Sequence, residues 1–542
     1  MFYFGIDLGT TNSCIALYDA EYEKVIVIPN TKAEATTPSV VYLPENDKDP
    51  EVVGNVAVNQ QKGKNAKRVI SYTKRLIADD NACKTKDFPN YPVYNNVPQN
   101  PITISSMILK SLTFNNTNFK EKVGNEAFKA VVTFPAYFTN DARARTKQAA
   151  EIAGLKDVAM IEEPIAAALS YGFGRNQQDE TLLVYDLGGG TFDVSVIQFE
   201  RGRGKVLAKE GDPFLGGGDW DNAFGYYLWK RYNEETPQDI KLTMEDFDYV
   251  KNNKELDINT LRKVNTFRLL AQDAKHQLTE MPETDVLCDD DTTIHVTRED
   301  FDRETQILLR RTFAMVEDVI KNTSGINSVV LVGGSSLMPQ VKDGLEKEFS
   351  QFSGKIQLHD PHLAVAKGAA IYCKMTDDII ESPDGDSDGG TTPGHGPRFC
   401  NISSFSYGIE SSDVDAKGNI TDTHIAILIK KGTALPAKVS EDFFTIGRTN
   451  KMRIQVYWTD VEDSRAALDQ GNKIGDESFV KFDTIVPPET GVAVQMELDS
   501  AGQLHITAKS KVDGGCVDFV LKAIGLMSDA EISNFQATQK KK

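Results

Sequence analysis

Two stretches of this chain set a carboxylate, glycines and hydroxyls within a few residues of one another, the group types that hold a phosphate together with its cation. The first carries Asp7, Gly9, Thr10 and Thr11; the second carries Asp186, Gly188, Gly189, Gly190 and Thr191. Glycine has no Cβ, so successive glycines let backbone N–H groups come close to phosphate oxygens. Aspartate oxygens suit the hydration shell of Mg²⁺, and a threonine hydroxyl can donate to a phosphate oxygen. Neither stretch suggests a covalent nucleophile, so the chemistry indicated is positioning and electrostatic stabilisation of a phosphoryl group.

The flanking residues say which elements must position these groups. In each stretch an apolar run ends at the aspartate and a second apolar or alternating run follows the turn, which predicts strand, tight turn, strand. The unit occurs twice, about 180 residues apart, which is an internal repeat. Two related lobes facing one cleft are the simplest arrangement. A third segment, residues 329–335, is an apolar strand ending in Gly333, Gly334 and Ser335, and Pro339 opens an amphipathic helix behind it. A helix N-terminus at that turn favours anionic or polar ligand groups.

The order of these three motifs resembles the actin-like ATPase superfamily, and segments 72–77, 131–138, 163–168 and 364–370 resemble heat-shock protein 70 (Hsp70) chaperones in particular. The likeness runs with few gaps from Phe2 to about Met375, and more loosely from Phe399 to about Ile524. It implies an α/β two-lobed actin-like (ribonuclease H-like) ATPase domain at 1–377 and an all-β sandwich peptide-binding domain at 399–524. It also implies that Lys74 and Glu163 join Asp7, Asp186 and Thr191 in hydrolysis, with Asp7 and Asp186 holding the metal through water. Gln272, Lys275, His276 and Thr279 share one helix face and fall on the family's adenosine-contacting helix, with Gln272 in place of a glutamate and His276 in place of an arginine; Gly333, Gly334 and Ser335 complete the set. Pro135 and Arg143 fall where the family relays nucleotide state to the rest of the molecule. Leu337 and His362 depart from an arginine and an aspartate of the family pattern, from which altered affinity but retained binding is expected. Ala159 stands where many members carry an arginine that J-domain co-chaperones engage.

Residues 382–397 are rich in Gly, Pro, Ser and Asp, so 378–398 reads as a flexible acidic linker. The family's leucine-rich linker has no counterpart here, which leaves communication between the two parts open. Short alternating runs at 423–430, 442–446, 452–458, 492–498, 503–509 and 516–522 predict a β-sandwich. The groove positions that the resemblance implies are Ile409, Phe443, Met452 and Ile454; by residue type alone, apolar side chains on such strands are core. Ser528 and Glu531 read as a capping box opening a short helix within 525–542, where the family's helical lid is expected to be absent.

Composition narrows the partners. The 542 residues carry a formal net charge of −19, which disfavours nucleic acid and anionic membrane surfaces. No apolar run approaches the roughly 18 residues of a membrane span. With a strand expected from Phe2, no leader peptide is expected either. Six dispersed cysteines without a CxxC pair suggest neither a cysteine zinc site nor a disulfide framework. The expectation is a chaperone of the cytoplasm or nucleus that binds and slowly hydrolyses MgATP, with K⁺ as a further ion. Its clients would be extended apolar segments of unfolded proteins, and J-domain co-chaperones and nucleotide-exchange factors are the further partners implied. The alternative is an atypical Hsp70 that holds ATP and serves as a co-chaperone or scaffold with little coupled ATPase. A small-molecule kinase of the same superfamily is disfavoured by the sandwich.

Overall fold

In the computed structural model the chain divides into two compact units: Met1–Gly202, Lys209–Pro397 and Met527–Lys542 form the first, and Arg203–Ala208 and Arg398–Leu526 the second. The structure describes all residues except 47–48, 81–82, 84–90, 157, 174–178, 201–202, 253, 289, 322, 382–397, 500–501, 514–515, 521–525 and 540–542. Most of the expected linker therefore lies outside the described residues.

The first unit contains two sheets with the same strand order. In one, Ala159–Glu162, Phe128–Phe134, Phe2–Asp7, Asn12–Asp19 and Lys24–Ile28 lie side by side; in the other, Ile356–Leu358, Ser328–Val332, Glu180–Leu187 and Phe192–Glu200 follow in the corresponding places. In both, the hairpin bearing the glycines is antiparallel, and its first strand pairs in parallel with its other neighbour. The internal repeat seen in the sequence is thus a repeat of topology. Ser328–Val332 is buried along its whole length, as a parallel strand covered on both faces must be.

Helix Ala364–Glu381 packs on helix Glu163–Gly172 and on strand Phe2–Asp7. The approach is so close that a Cβ on Gly5 would collide with the backbone of Ala366 and Ala370, and one on Gly368 with the Ala166 carbonyl. Glycine at these two positions is a packing requirement. The helix runs on to Glu381, into the stretch expected as linker.

Helix Asp529–Gln539 is capped as its sequence indicates: the Ser528 N–H donates to Glu531 Oε2 at 2.7 Å, and the Glu531 N–H to Ser528 Oγ at 3.3 Å. It belongs to the first unit rather than to the strands that precede it. The Gln148 side chain exchanges two 2.9 Å hydrogen bonds with the Met527 backbone, and Met527 and Phe535 join the core around Phe4, Ile104 and Val132.

The second unit is two antiparallel sheets. One has the order Arg465–Ala467, Ile420–Ile429, Ser406–Val414, Thr449–Thr459, Asn472–Val486, and the other Ala437–Phe444, Gly491–Leu498, Leu504–Ser510, Cys516–Val520. Val492, Val494, Met496 and Leu498 are buried at every second position of their strand, the period of a half-covered sheet. The longest strand, Asn472–Val486, is absent from the runs expected above because Gly475 and Asp483 interrupt its apolar alternation. Pairing with Thr449–Thr459 forms it. Among the described residues no helix is long and apolar enough to cross a membrane.

Candidate active site

The two glycine hairpins face each other within the first unit. A Cβ on Gly189 would run into the Thr11 side chain and one on Gly190 into Thr10, so glycine is what lets the loops stand this close. Beside them lies a cavity of about 350 Å³. Asp7, Gly9, Thr10 and Thr11 line it from the first hairpin, and Asp186, Gly188, Gly189 and Thr191 from the second. Lys74 and Glu163 also line it, as do Gly333, Gly334 and Ser335 of the third turn. Gln272, Lys275, His276 and Thr279 reach it from helix Ile258–Glu280. Gly190 alone of the predicted nucleotide residues is off the wall; its carbonyl accepts a 2.9 Å hydrogen bond from Arg75 Nε.

Strand ends deliver the acids. Asp7 closes strand Phe2–Asp7, Asp186 sits opposite Asp193 across the second hairpin, and Glu163 opens helix Glu163–Gly172. Lys74, in helix Thr73–Ala78, makes a buried ion pair with Glu163. Four carboxylates, Asp7, Glu163, Asp186 and Asp193, therefore lie around the Lys74 ammonium. Burial, and after it the Glu163 charge, pushes Asp7 up to about 7 despite Lys74 and a Thr133 hydroxyl donating at 3.3 Å. Asp186 and Asp193 are pushed well above the ordinary carboxylate range by burial first and Glu163 second. Burial pulls Lys74 down, but Glu163 and Asp7 outweigh it and raise the ammonium above its ordinary value. Asp193 Oδ1 is buried without a hydrogen-bond partner. Oxygen donors held this far from charge balance are stabilised by a hard cation, and Mg²⁺ suits an all-oxygen set while keeping most of its own water. The residues present fit that ion.

At the other end of the cavity Lys275 is already committed. Its Nζ lies 2.6 Å from Asp221 Oδ1 and donates to the Gly217 carbonyl at 3.2 Å. The N–H groups of Gly217 and Gly218 in turn donate to the carbonyls of Gly188 and Gly189 at 2.9 and 2.8 Å, and Ser335 Oγ donates to Gly188 O at 3.0 Å. Lys275 and Ser335 thus brace the second hairpin as well as lining the cavity. Desolvation by the cleft walls, ahead of the Lys275 charge, holds the His276 imidazole below its ordinary pKa. Leu337 and His362, two of the departures from the family pattern, are on the wall too.

The Hsp70 protein family model matches residues 3–542. The chain belongs to the Hsp70 family. It is 32% identical to "Chaperone protein DnaK" of Anaplasma marginale (strain St. Maries) over 558 aligned residues, which cover 97% of this chain and 78% of that protein. This Hsp70 is an ATP-dependent chaperone with ATPase activity, its two-lobed actin-like domain followed by a β-sandwich. The alternative, an atypical Hsp70 serving as a co-chaperone or scaffold with little or no coupled ATPase, gains nothing from these matches.

Sequence reasoning missed several residues of the Hsp70 site, four of which bear on its chemistry or its bracing. Gly217, Gly218 and Asp221 line the cavity, and Asp193 is buried in the carboxylate cluster. The glycine triplet 216–218 was a visible signal; what it lacked was a partner, and that partner is Lys275. Pro135 and Arg143 do not line the cavity. Pro135 is buried and its carbonyl accepts from the Phe138 N–H at 3.1 Å. Arg143 Nε donates to Phe138 O at 3.0 Å, and its guanidinium lies 3.4 Å from Glu162, which also pairs with Lys209 at 3.0 Å. In the second unit Ile409 and Ile454 are each 1% exposed, Phe443 is buried and Met452 half-buried. Ile409, Met452 and Ile454 sit on the five-stranded sheet, and Phe443 on the four-stranded one.

Proposed function

We propose that this Hsp70 binds MgATP in the cleft, hydrolyses it slowly, and couples that cycle to binding and release of extended apolar segments of unfolded polypeptides. The observation that carries the reading is the meeting of two glycine hairpins, the buried carboxylates Asp7, Glu163 and Asp186, and Lys74 around one cavity. Hydrolysis forms a bond from a water oxygen to the γ-phosphorus and breaks the bond from that phosphorus to the bridging oxygen of ADP. Lys74 places a point charge beside the γ-phosphate, and Glu163, paired with it, orients the attacking water and the metal's water shell. Backbone N–H groups near Gly9 and Gly188 to Gly190, with the hydroxyls of Thr10, Thr11 and Thr191, hold the phosphate oxygens. Asp7 and Asp186 hold the cation through water; when bound, Mg²⁺ offsets charge on the transferring group. K⁺ belongs to the same oxygen-rich surroundings.

Gln272, Lys275, His276 and Thr279, with Gly333, Gly334 and Ser335, enclose the nucleoside. An uncharged His276 and an apolar Leu337 there favour packing over charge pairing. In this reading 1–377 is the ATPase domain, 378–398 the linker, 399–524 the peptide-binding domain and 525–542 a short helical tail. Pro135 and Arg143 relay nucleotide state through Glu162, the neighbour of Glu163. Peptide is held by strand backbone hydrogen bonds with Ile409, Phe443, Met452 and Ile454 around one apolar side chain. J-domain co-chaperones and exchange factors belong to the same cycle, and the exposed Ala159 removes one charge from the J-domain contact. The cytoplasm is the compartment that fits this reading.

The test is to load the purified protein with a fluorescent apolar peptide and add MgATP. Release many-fold faster with ATP, and not with a Lys74→Ala variant given ADP, is the expected result. A release rate indifferent to nucleotide, in protein that still liberates phosphate, would overturn the coupling.

A further inference from the structure

Away from the cleft, among the described residues, three metal-ligating side chains meet in the second unit. Strands Ser406–Val414 and Ile420–Ile429 pair antiparallel, with Asp413 directly opposite Asp422. His424, two residues on from Asp422, shares its face of the sheet. One ligand atom from each of Asp413, Asp422 and His424 lies within 4.8 Å of the others.

The imidazole is the unusual member. His424 is 6% exposed, and its Nδ1 is buried with no hydrogen-bond partner. The nearest charge is Asp422 Oδ2 at 3.4 Å, outside hydrogen-bonding geometry. A buried ring nitrogen without a hydrogen bond is costly, so it calls for a partner. The two acids add to the imbalance, because like charges directly opposite in a strand pair destabilise it. Arg465 meets only part of this: it donates to both Asp413 oxygens, at 2.8 and 3.1 Å. A carboxylate has about four lone-pair sites, so Asp413 keeps acceptor capacity beyond that fork. The described hydrogen bonds leave Asp422 and His424 Nδ1 with nothing comparable.

We propose that Asp413, Asp422 and His424 form a binding site for a divalent transition ion of the zinc class. One nitrogen and two carboxylate oxygens are a borderline donor set, which suits Zn²⁺ and its neighbours; Mg²⁺ and Ca²⁺ take oxygen throughout. Zinc–ligand bonds of about 2.0–2.2 Å in a tetrahedral site place ligand atoms about 3.3–3.6 Å apart, the separation at which His424 Nδ1 and Asp422 Oδ2 already stand, 3.4 Å. Asp422, with a side chain 61% exposed, can adjust to the ion without disturbing the core. Three protein ligands leave a fourth position for water.

The test uses the full chain, stripped with a chelator and kept in millimolar Mg²⁺ so that the nucleotide cleft is not the site read. Zn²⁺ is titrated in competition with a chromophoric chelator, and Co²⁺ serves as the spectroscopic probe. The wild type is expected to bind one equivalent that His424→Ala and Asp422→Asn each weaken by roughly tenfold or more, the scale on which even supporting residues of metal sites act. The Co²⁺ complex should show weak visible bands without thiolate charge transfer, and a Cys516→Ser variant, which removes an exposed thiol, should bind as the wild type does. Asp422→Asn alters an exposed side chain, so it decides the matter even where loss of the buried imidazole disturbs packing. Unchanged affinity in Asp422→Asn, or a wild type that binds no equivalent, would overturn the proposal.

Discussion

Lys74 and Glu163 in the nucleotide cleft are nearly as buried as Ile409 and Ile454 in the β-sandwich, at 6% and 5% exposure against 1% each. The burial is similar and its energetics are opposite. An isoleucine gains from leaving water, by roughly 1.5–3 kcal/mol when fully buried. A buried ion pair does not stabilise a fold in that way, and loss of one partner leaves a stranded charge costing about 3–5 kcal/mol. The cleft residues are there in spite of folding, so their function is visible as a departure from good packing. Those in the sandwich satisfy folding already, and a role in holding peptide leaves no mark on their burial. This is why the cleft can be argued from its residues upward, whereas the groove rests on the family likeness.

That contrast can be broken experimentally. The largest effect belongs to Lys74→Ala: ATP turnover should fall by about 10²–10³-fold, the range seen when one electrostatic stabiliser of a transition state is lost. Nucleotide should still bind, and single-turnover kinetics beside a binding assay separates the two. Turnover within a few-fold of wild type would remove Lys74 from the chemistry.

In the sandwich the order of effects reverses. Ile454→Ala should destabilise that unit by about 2–5 kcal/mol, as large-to-small core changes do, and lower peptide affinity along with stability. Met452→Ala, at a half-buried position, should cost little in a thermal melt while weakening peptide binding several-fold. Loss of stability without any loss of peptide affinity in either variant would return these residues to the core.

The smallest effect is one of pH. With its pKa raised from 3.8 to about 7, Asp7 favours the folded state most below the unfolded value, and that contribution fades as pH climbs toward 7. The cation requires the ionised form, so binding MgADP releases a proton below pH 7. Affinity should rise by roughly fivefold between pH 6 and 7 and then level off. Calorimetry in two buffers of different ionisation enthalpy reads the proton directly, and a flat profile would place the carboxylate charge elsewhere.

Much of the site was legible because its chemistry needs residue types that cores avoid. Asp7, Asp186 and the glycines around them interrupt apolar strands, and an interruption repeated about 180 residues later is readable without coordinates. Asp193 lay in the same motif yet carried no sign of its own, since its shift comes from burial and from Glu163, 30 residues away in the chain. Lys275 looked like a ligand contact on a helix face, and only folding shows it paired to Asp221.

From the sequence alone came the paired hairpins, the acids and hydroxyls at their turns, the family, and the change from α/β to alternating strands. Each is a local pattern, fixed by strand period, turn chemistry and the absence of a Cβ. The tertiary structure alone decided that Gly189 stands against Thr11, that the 15-residue strand Asn472–Val486 exists at all, and that helix Asp529–Gln539 belongs to the first unit through Gln148. It also decided that His424 is buried without a hydrogen bond for Nδ1. These are outcomes of burial and pairing between distant segments, where the free energy of a group depends on neighbours that its own stretch of sequence does not name.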